Sequence, residues 1–422
     1  MISVKSNKLL IGGVAASGLA RRFGTPVYAY DEETIRSKVK MLVQNIAYRP
    51  LRIYYAAKAN TNIAILKIIR EEGGQSIGID AVSPGEIECA LKAGFRPEQI
   101  IFTSTSVTDD EMQFAISKKV LVNCDSLSQL ERYGRLNPNS KVCFRVNPDV
   151  GAGHHGHVIT GGPESKFGIW AADVGKAFGI AAKYNLRIVG IHEHIGSGIL
   201  ETGKFLAAMK VLLAIIGKNR EKLRDLEFVD FGGGIGVPYE PGQKPIDFGV
   251  FGSAVSRLFS DFCSRFGKNL SLMIEPGRFI VAESGVLLCT VNTIKQTPKH
   301  TFVGVDTGFN HLIRPMAYGS YHPIVVVDNC GSSVGKKEKV AVCGNICESG
   351  DVFTRNEEGI ADRELPPIKE GDVLAILVAG AYGFSMASTY NMRPRPPEVL
   401  VSGKSVGVIR KRETLSQVIY GM

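Results

Sequence analysis

No stretch of the 422-residue chain reaches the ~18 consecutive apolar residues of a membrane helix. No C-x-x-C pair appears either. The eight cysteines are scattered, mostly inside apolar runs such as KVCFRV (141–146) and GVLLCTV (285–291), so reduced core thiols are expected rather than a zinc site. Lysine and arginine form no long runs, and a net charge of +9 is mild for this length, which argues against nucleic-acid binding. A weakly positive surface can at most help to attract an anionic substrate. The segment LLIGGVAASGLA (9–20) follows two lysines, but glycine and serine break it where a secretory signal needs a continuous apolar core. Internal repeats and low-complexity tracts are absent. These absences describe a cytoplasmic protein with neither a membrane nor a nucleic acid as partner.

What is present is alternation. Eight short apolar runs lie between residues 50 and 280: LRIYYAAKAN, QSIGIDAVS, IIFTSTS, VLVNCDS, KVCFRVNPD, LRIVGIHEHIGSG, LEFVDFGGGIG and SLMIEPGR. Amphipathic segments such as NIAILKIIREEG and PGEIECALKAG separate them, the pattern of parallel βαβ units. Eight such units over about 230 residues match a closed (β/α)8 barrel. After residue 280 the runs (SGVLLCTVNTIKQ, TFVGVDTG, YHPIVVVDN, DVLAILVAGAYG) are β-rich and broken by Gly, Pro and Asn, with few helices between them. The expected organisation is a barrel over 31–279 and a mainly β domain made from 1–30 and 280–422. Almost every barrel run ends in polar, glycyl or ionisable residues. Active sites of such barrels gather at that edge, so Lys58, His194, Gly232–Gly234, Glu275 and Arg278 are expected to converge on one mouth.

Lys58 ends an apolar run, where a lysine often merely extends its amine to water. Held in a barrel mouth, the same amine is withdrawn from water, which favours its nucleophilic form and makes it a Schiff-base former. Its neighbours must choose between these readings. DFGGGIGVPY (230–239) follows the seventh run, and its three glycines can surround a phosphate with backbone N–H groups. Glu275, after the eighth run, could simply pair with Arg278. Beside a phosphate and a lysine, it could instead keep the nitrogen of a pyridine-type cofactor protonated, and a protonated ring stabilises an adjacent carbanion. His192 and His194 lie two apart, which suggests a metal pair, but no third ligand of clear spacing follows. A ring-stacking imidazole, with Ser197 as a phosphate or hydroxyl partner, fits better. His154, His155 and His157 lie in a Gly-rich segment expected to be a flexible active-site loop rather than a metal site.

Eleven motifs stand in order along nearly the whole chain: FGTPVYAYD, YYAAKAN, AVSPGEIECAL, FRVNPDV, SKFGI, HEHIGSGI, DFGGGIGVPY, EPGRFIVA, NHLIRPMAYGSYHPI, CESGDVF and GAYGFSMASTYNMRPRPPEVL. With them the chain resembles the fold-type III pyridoxal-phosphate-dependent decarboxylases. The resemblance implies an alanine-racemase-like fold, a (β/α)8 barrel with a β-sandwich or β-barrel domain, and pyridoxal 5'-phosphate as cofactor. It implies a Schiff base on Lys58, His194 stacked on the pyridine ring, and Glu275 at the ring nitrogen. Ser197 and Gly232, Gly233 and Gly234 would hold the phosphate, and Gly277, Arg278 and Tyr382 would line the cofactor. Arg278, Arg314, Tyr318 and Tyr382 would contact the substrate, the arginines through its distal carboxylate. Cys347 would be the proton donor, and Glu348 would read the distal amino group. In the family, CESGD reaches the neighbouring subunit's site, which implies a homodimer.

The activity implied is decarboxylation of meso-2,6-diaminopimelate to L-lysine and CO2, the last step of lysine biosynthesis. The alternative is a related decarboxylase of D-ornithine, D-lysine or a carboxylated polyamine, which would have no use for Arg278, Arg314 and Glu348 together. Racemases of this fold type put arginine at the ring nitrogen, against which Glu275 stands. A non-catalytic cofactor carrier would not need the long β domain. One segment departs from the commoner family pattern, T-H-P-x-x-x-T-G: this chain has GHHGHVITGG (153–162), nearer to a glycine- and histidine-rich branch.

Overall fold

The computed structural model describes residues 1–149, 162–330 and 337–422. The loop carrying His154, His155 and His157 lies outside the described residues. The chain divides into two compact units, Lys38–Val237 with Lys244–Phe279, and Met1–Ser37 with Pro238–Gln243 and Ile280–Met422.

The first unit is the expected barrel. Strands Leu51–Ala56, Ile77–Ala81, Ile100–Ser104, Leu121–Cys124, Lys141–Asn147, Arg187–His192, Phe228–Asp230 and Ser271–Ile274 run parallel in that order, one from each of the eight apolar runs. The eighth closes onto the first by pairing Met273 with Arg52 and Ile274 with Ile53. Strands covered on both faces need apolar residues at nearly every position, which is why the runs are continuous rather than alternating. Tyr54, Ile101, Cys143, Val189, Phe228 and Met273, from six different strands, pack together as one buried cluster.

Short polar turns start the helices that follow. Ser83, Thr108 and Ser126 accept hydrogen bonds from the backbone N–H groups of Glu86, Glu111 and Gln129, and so cap the helices Pro84–Lys92, Asp109–Ser117 and Leu127–Leu136. The helix Phe248–Phe266 buries Phe248, Phe251, Val255, Phe259, Phe262 and Phe266, spaced three or four apart on one stripe. Only a four-residue helix, Arg278–Val281, follows the eighth strand.

The second unit is mainly β. Its sheet is built on the long strand Gly285–Gln296, which pairs antiparallel with Thr301–Val305, Val373–Ile376 and Val27–Asp31. Val27–Asp31 also pairs in parallel with Glu398–Ser402. Leu9, Leu19, Val27, Val286, Leu288, Ala375 and Val399 form the core beneath this sheet. Among the described residues no helix is long and apolar enough to cross a membrane.

Candidate active site

The C-terminal edge of the barrel strands gathers ionisable side chains. Lys58 lies in the 3-10 turn Ala57–Ala59, two residues past the end of the first strand. Its Nζ is 3.7 Å from Oδ2 of the buried Asp80, in the second strand. Burial first, then Glu275, push the Asp80 carboxyl well above the usual range, against the pull of the lysine.

Glu275 follows the eighth strand and is buried, with Oε2 3.1 Å from His192 Nε2. Burial alone would raise its pKa. His192, the Lys58 ammonium and a hydrogen bond from Asp230 outweigh that and hold it down to about 2. Asp230, at the end of the seventh strand, moves the other way, because burial and the neighbouring Glu275 charge keep it protonated. Burial and mutual repulsion thus favour one proton and one negative charge for the pair, with the proton drawn towards Asp230. Ligand atoms of His192, Asp230 and Glu275 all lie within 4.8 Å of one another. No third ligand of clear spacing follows His192 and His194 in the sequence. The structure brings two from other strands.

His194 stands apart from that group. Its Nδ1 accepts the Gly233 N–H at 3.2 Å, and burial, then Arg145, hold its pKa well below the usual value, so the ring is neutral. The Gly232 N–H is also engaged, by Asp230 Oδ1 at 2.8 Å. The expectation of three open glycine N–H groups is thus corrected: two are turned onto the site's own side chains, and the Gly234 N–H is the one left for an anion among the described residues. Glycine is required here by close approach. A Cβ at Gly233 would lie 2.2 Å from the Glu275 carbonyl oxygen, and one at Gly234 would lie 2.5 Å from that of Gly196. Arg278, buried, donates to Ser197 Oγ from Nε at 3.2 Å and from Nη2 at 3.1 Å. Ser197, Gly234 and Arg278 follow the sixth, seventh and eighth strands and carry hydrogen-bond donors.

The remaining predicted residues lie in the β unit. Arg314 and Tyr318 begin and end one short helix, and Arg314 is 1% exposed. Cys347 and Glu348 are exposed. Asp351 anchors their loop, its Oδ1 accepting the Phe309 N–H at 2.7 Å and its Oδ2 the Ile346 N–H at 2.8 Å. Cys347 donates its own N–H to Asn391 Oδ1 at 2.8 Å. Tyr382 is half-buried, with φ at +56°, a conformation that costs a non-glycine residue about 1–3 kcal/mol and clusters at functional sites.

Asp80, Asp230 and Arg145 were missed from sequence. Arg145 is buried, lies 4.6 Å over the Phe167 ring and donates to the His194 carbonyl at 3.1 Å. The signal in the sequence is an acid near the end of each of the runs SIGID, FVD and LMIE.

A family model of the pyridoxal-dependent decarboxylases, for their pyridoxal binding domain, matches residues 32–282. The chain belongs to this family, and its cofactor is pyridoxal phosphate. The residues fit that group. Glu275 offers a buried anionic carboxylate whose Oε1 meets no hydrogen-bond donor among the described residues. The neutral His194 and the donors of Ser197, Gly234 and Arg278 complete the set. The particular likeness is to the diaminopimelate decarboxylases. The enzyme of that name from Methanothermobacter thermautotrophicus is 49% identical over 98% of this chain and 95% of its own length. That of Escherichia coli K12 is 39% identical over 95% and 94%. The crystal structure of the M. jannaschii diaminopimelate decarboxylase in co-complex with L-lysine superposes with a TM-score of 0.89 at 33% identity, covering 100% of this chain and 97% of that one.

Glu193 gives the site a stability signature. It is buried, and burial pushes its carboxyl from 4.5 up to about 8. The folded chain then keeps a proton that the unfolded chain releases. Its contribution is complete below pH 4.5 and is lost as pH rises to about 8. Glu193→Gln is expected to recover roughly 3–5 kcal/mol at alkaline pH. Thermal midpoints of the cofactor-free protein across this range check it. Asp80 and Asp230 act in the same direction, so the variant's profile should flatten without becoming level. Parallel profiles for the two proteins would show that Glu193 carries no such cost.

Proposed function

We propose that the chain decarboxylates meso-2,6-diaminopimelate to L-lysine and CO2, as a homodimer in the cytoplasm. The observation that carries the reading is the ionised Glu275 beside His192 and Lys58. Pyridoxal phosphate, when bound, supplies an electron sink for the pair released as the carboxylate leaves. Glu275 would keep a proton on the ring nitrogen and so maintain that sink. Lys58 would anchor the cofactor through its amine. His194, a neutral ring, would add no charge beside the cofactor. Ser197, Gly234, Gly277 and Arg278 hold the phosphate, while Gly232 and Gly233 shape the loop around Asp230 and His194.

Arg278, Arg314 and Tyr318 bind the substrate's distal carboxylate, for which a guanidinium offers a two-pronged fit that lysine lacks. Glu348 pairs with the distal ammonium, Tyr382 contacts cofactor and substrate, and Cys347 returns a proton to the carbon that lost CO2. The barrel unit is the cofactor domain, and the β unit brings the substrate residues. Cys347 and Glu348 serve the neighbouring subunit's site, which their exposure supports. Free thiols at all eight cysteines support a reducing compartment.

The test is CO2 release from meso-diaminopimelate, D-lysine and D-ornithine at equal concentration. The dicarboxylate is expected to exceed the two monocarboxylates by on the order of 10²-fold or more, as removing a charged partner from a buried site predicts. A monocarboxylate turning over fastest would overturn the substrate assignment.

A further inference from the structure

We propose that His322 is the positioning residue behind selection of a substrate with a second carboxylate, because it holds the Arg314 guanidinium with an uncharged acceptor. The inference rests on the role given above to Arg314 and goes beyond it to what makes that arginine selective.

The sequence places the pieces close together. Ser320 and His322 lie two apart in GSYHPI (319–324), so in an extended segment their side chains share one side. Pro323 disfavours helix at His322 and favours that extended form. In the fold both reach Arg314. Its Nη1 is 2.8 Å from His322 Nε2, and its Nη2 donates to Ser320 Oγ at 3.2 Å. His322 is fully buried, and its Nδ1 lies 2.9 Å from the Leu377 carbonyl oxygen.

These partners settle the tautomer. A carbonyl oxygen only accepts, so Nδ1 carries the proton. A guanidinium only donates, so Nε2 presents its lone pair and the ring is neutral. The ring itself is fixed from other directions. Tyr239 meets it edge-on, with centroids 5.3 Å apart at 77°, and the same tyrosine lies 4.6 Å from the Arg314 guanidinium carbon. Arg363 donates to the His322 carbonyl.

A carboxylate in the place of His322 would orient the fork and also draw on its charge. A neutral imidazole supplies the alignment alone. It fixes the plane of the guanidinium and takes nothing from the positive charge that the distal carboxylate is to meet. Replacing it with an acid would keep the hydrogen bond and add a competing anion, so charge and alignment can be separated by mutation.

The experiment is steady-state decarboxylation of meso-diaminopimelate by wild-type, His322→Gln and His322→Glu holoenzymes, with cofactor absorption and thermal midpoint recorded for each. Glutamine keeps an accepting oxygen without charge, and its KM is expected within about fivefold of wild type. Glutamate is expected to raise KM on the order of 10–100-fold while kcat changes little, since the effect falls on recognition rather than on the bond that breaks. Cofactor absorption should be unchanged in both. Equal KM increases in the two variants, a fall in kcat at constant KM, or loss of cofactor from both would overturn the inference. Wild-type enzyme that releases no CO2 from this substrate would instead refute the proposed function. An active wild type with KM unmoved in His322→Glu would refute the role of His322 alone.

Discussion

Lys58→Ala is expected to abolish the visible absorption of bound pyridoxal and to lower CO2 release by on the order of 10⁴-fold or more, because a tethered, aligned amine is worth effective molarities of ~10⁵–10⁸ M. The side chain stands at the end of a strand whose residues are otherwise almost all buried, so its amine is delivered from a rigid support. Its Nζ lies 3.7 Å from Asp80 Oδ2, on the side of the barrel mouth where Glu275 also acts electrostatically. Alanine removes the amine and leaves the strand and the glycine loop intact, so the thermal midpoint of the cofactor-free protein should move little. The absorption spectrum of dialysed protein decides the matter. A variant that keeps the wild-type spectrum would remove Lys58 from the anchoring role.

Glu275→Gln is expected to reduce kcat about 10²–10³-fold, the range seen when one preorganised electrostatic partner of a developing charge is lost. Glutamine has nearly the same shape and can still meet His192, but it has no charge to keep a proton on the ring nitrogen. The visible absorption should persist, because the amine of Lys58 is untouched, and this separates the variant from Lys58→Ala. The pH dependence has a definite sign. Glu275 is held at about 2, below its unfolded value of 4.5, so its stabilising contribution is complete above pH 4.5 and is lost only as pH falls towards 2. An acid limb of kcat in the mildly acidic range therefore belongs to another group and should survive the substitution. Unchanged turnover in Glu275→Gln would end the ring-nitrogen assignment.

Sequence and structure divided the problem along a physical line. Continuous apolar runs ending in polar residues are imposed by burial on both faces of a strand, so the barrel, its eight strands and the edge bearing Lys58, Glu275 and Arg278 could be read from pattern alone. The glycines after the seventh strand were equally legible as a position. Their use was not, because which N–H groups face inward depends on φ at Gly232 and Gly234 and on side chains from other strands. Asp80 and Asp230 illustrate the same limit. Each stands close to an apolar run's end, as Glu275 does, but nothing local says that one of the three acids holds the charge while a neighbour holds a proton. That outcome comes from burial together with distances between strands remote in sequence. His322 is the clearest case. In the sequence it is one histidine before a proline. Only the folded chain places Leu377 on one side of its ring and Arg314 on the other, and those two partners fix its proton and leave it neutral.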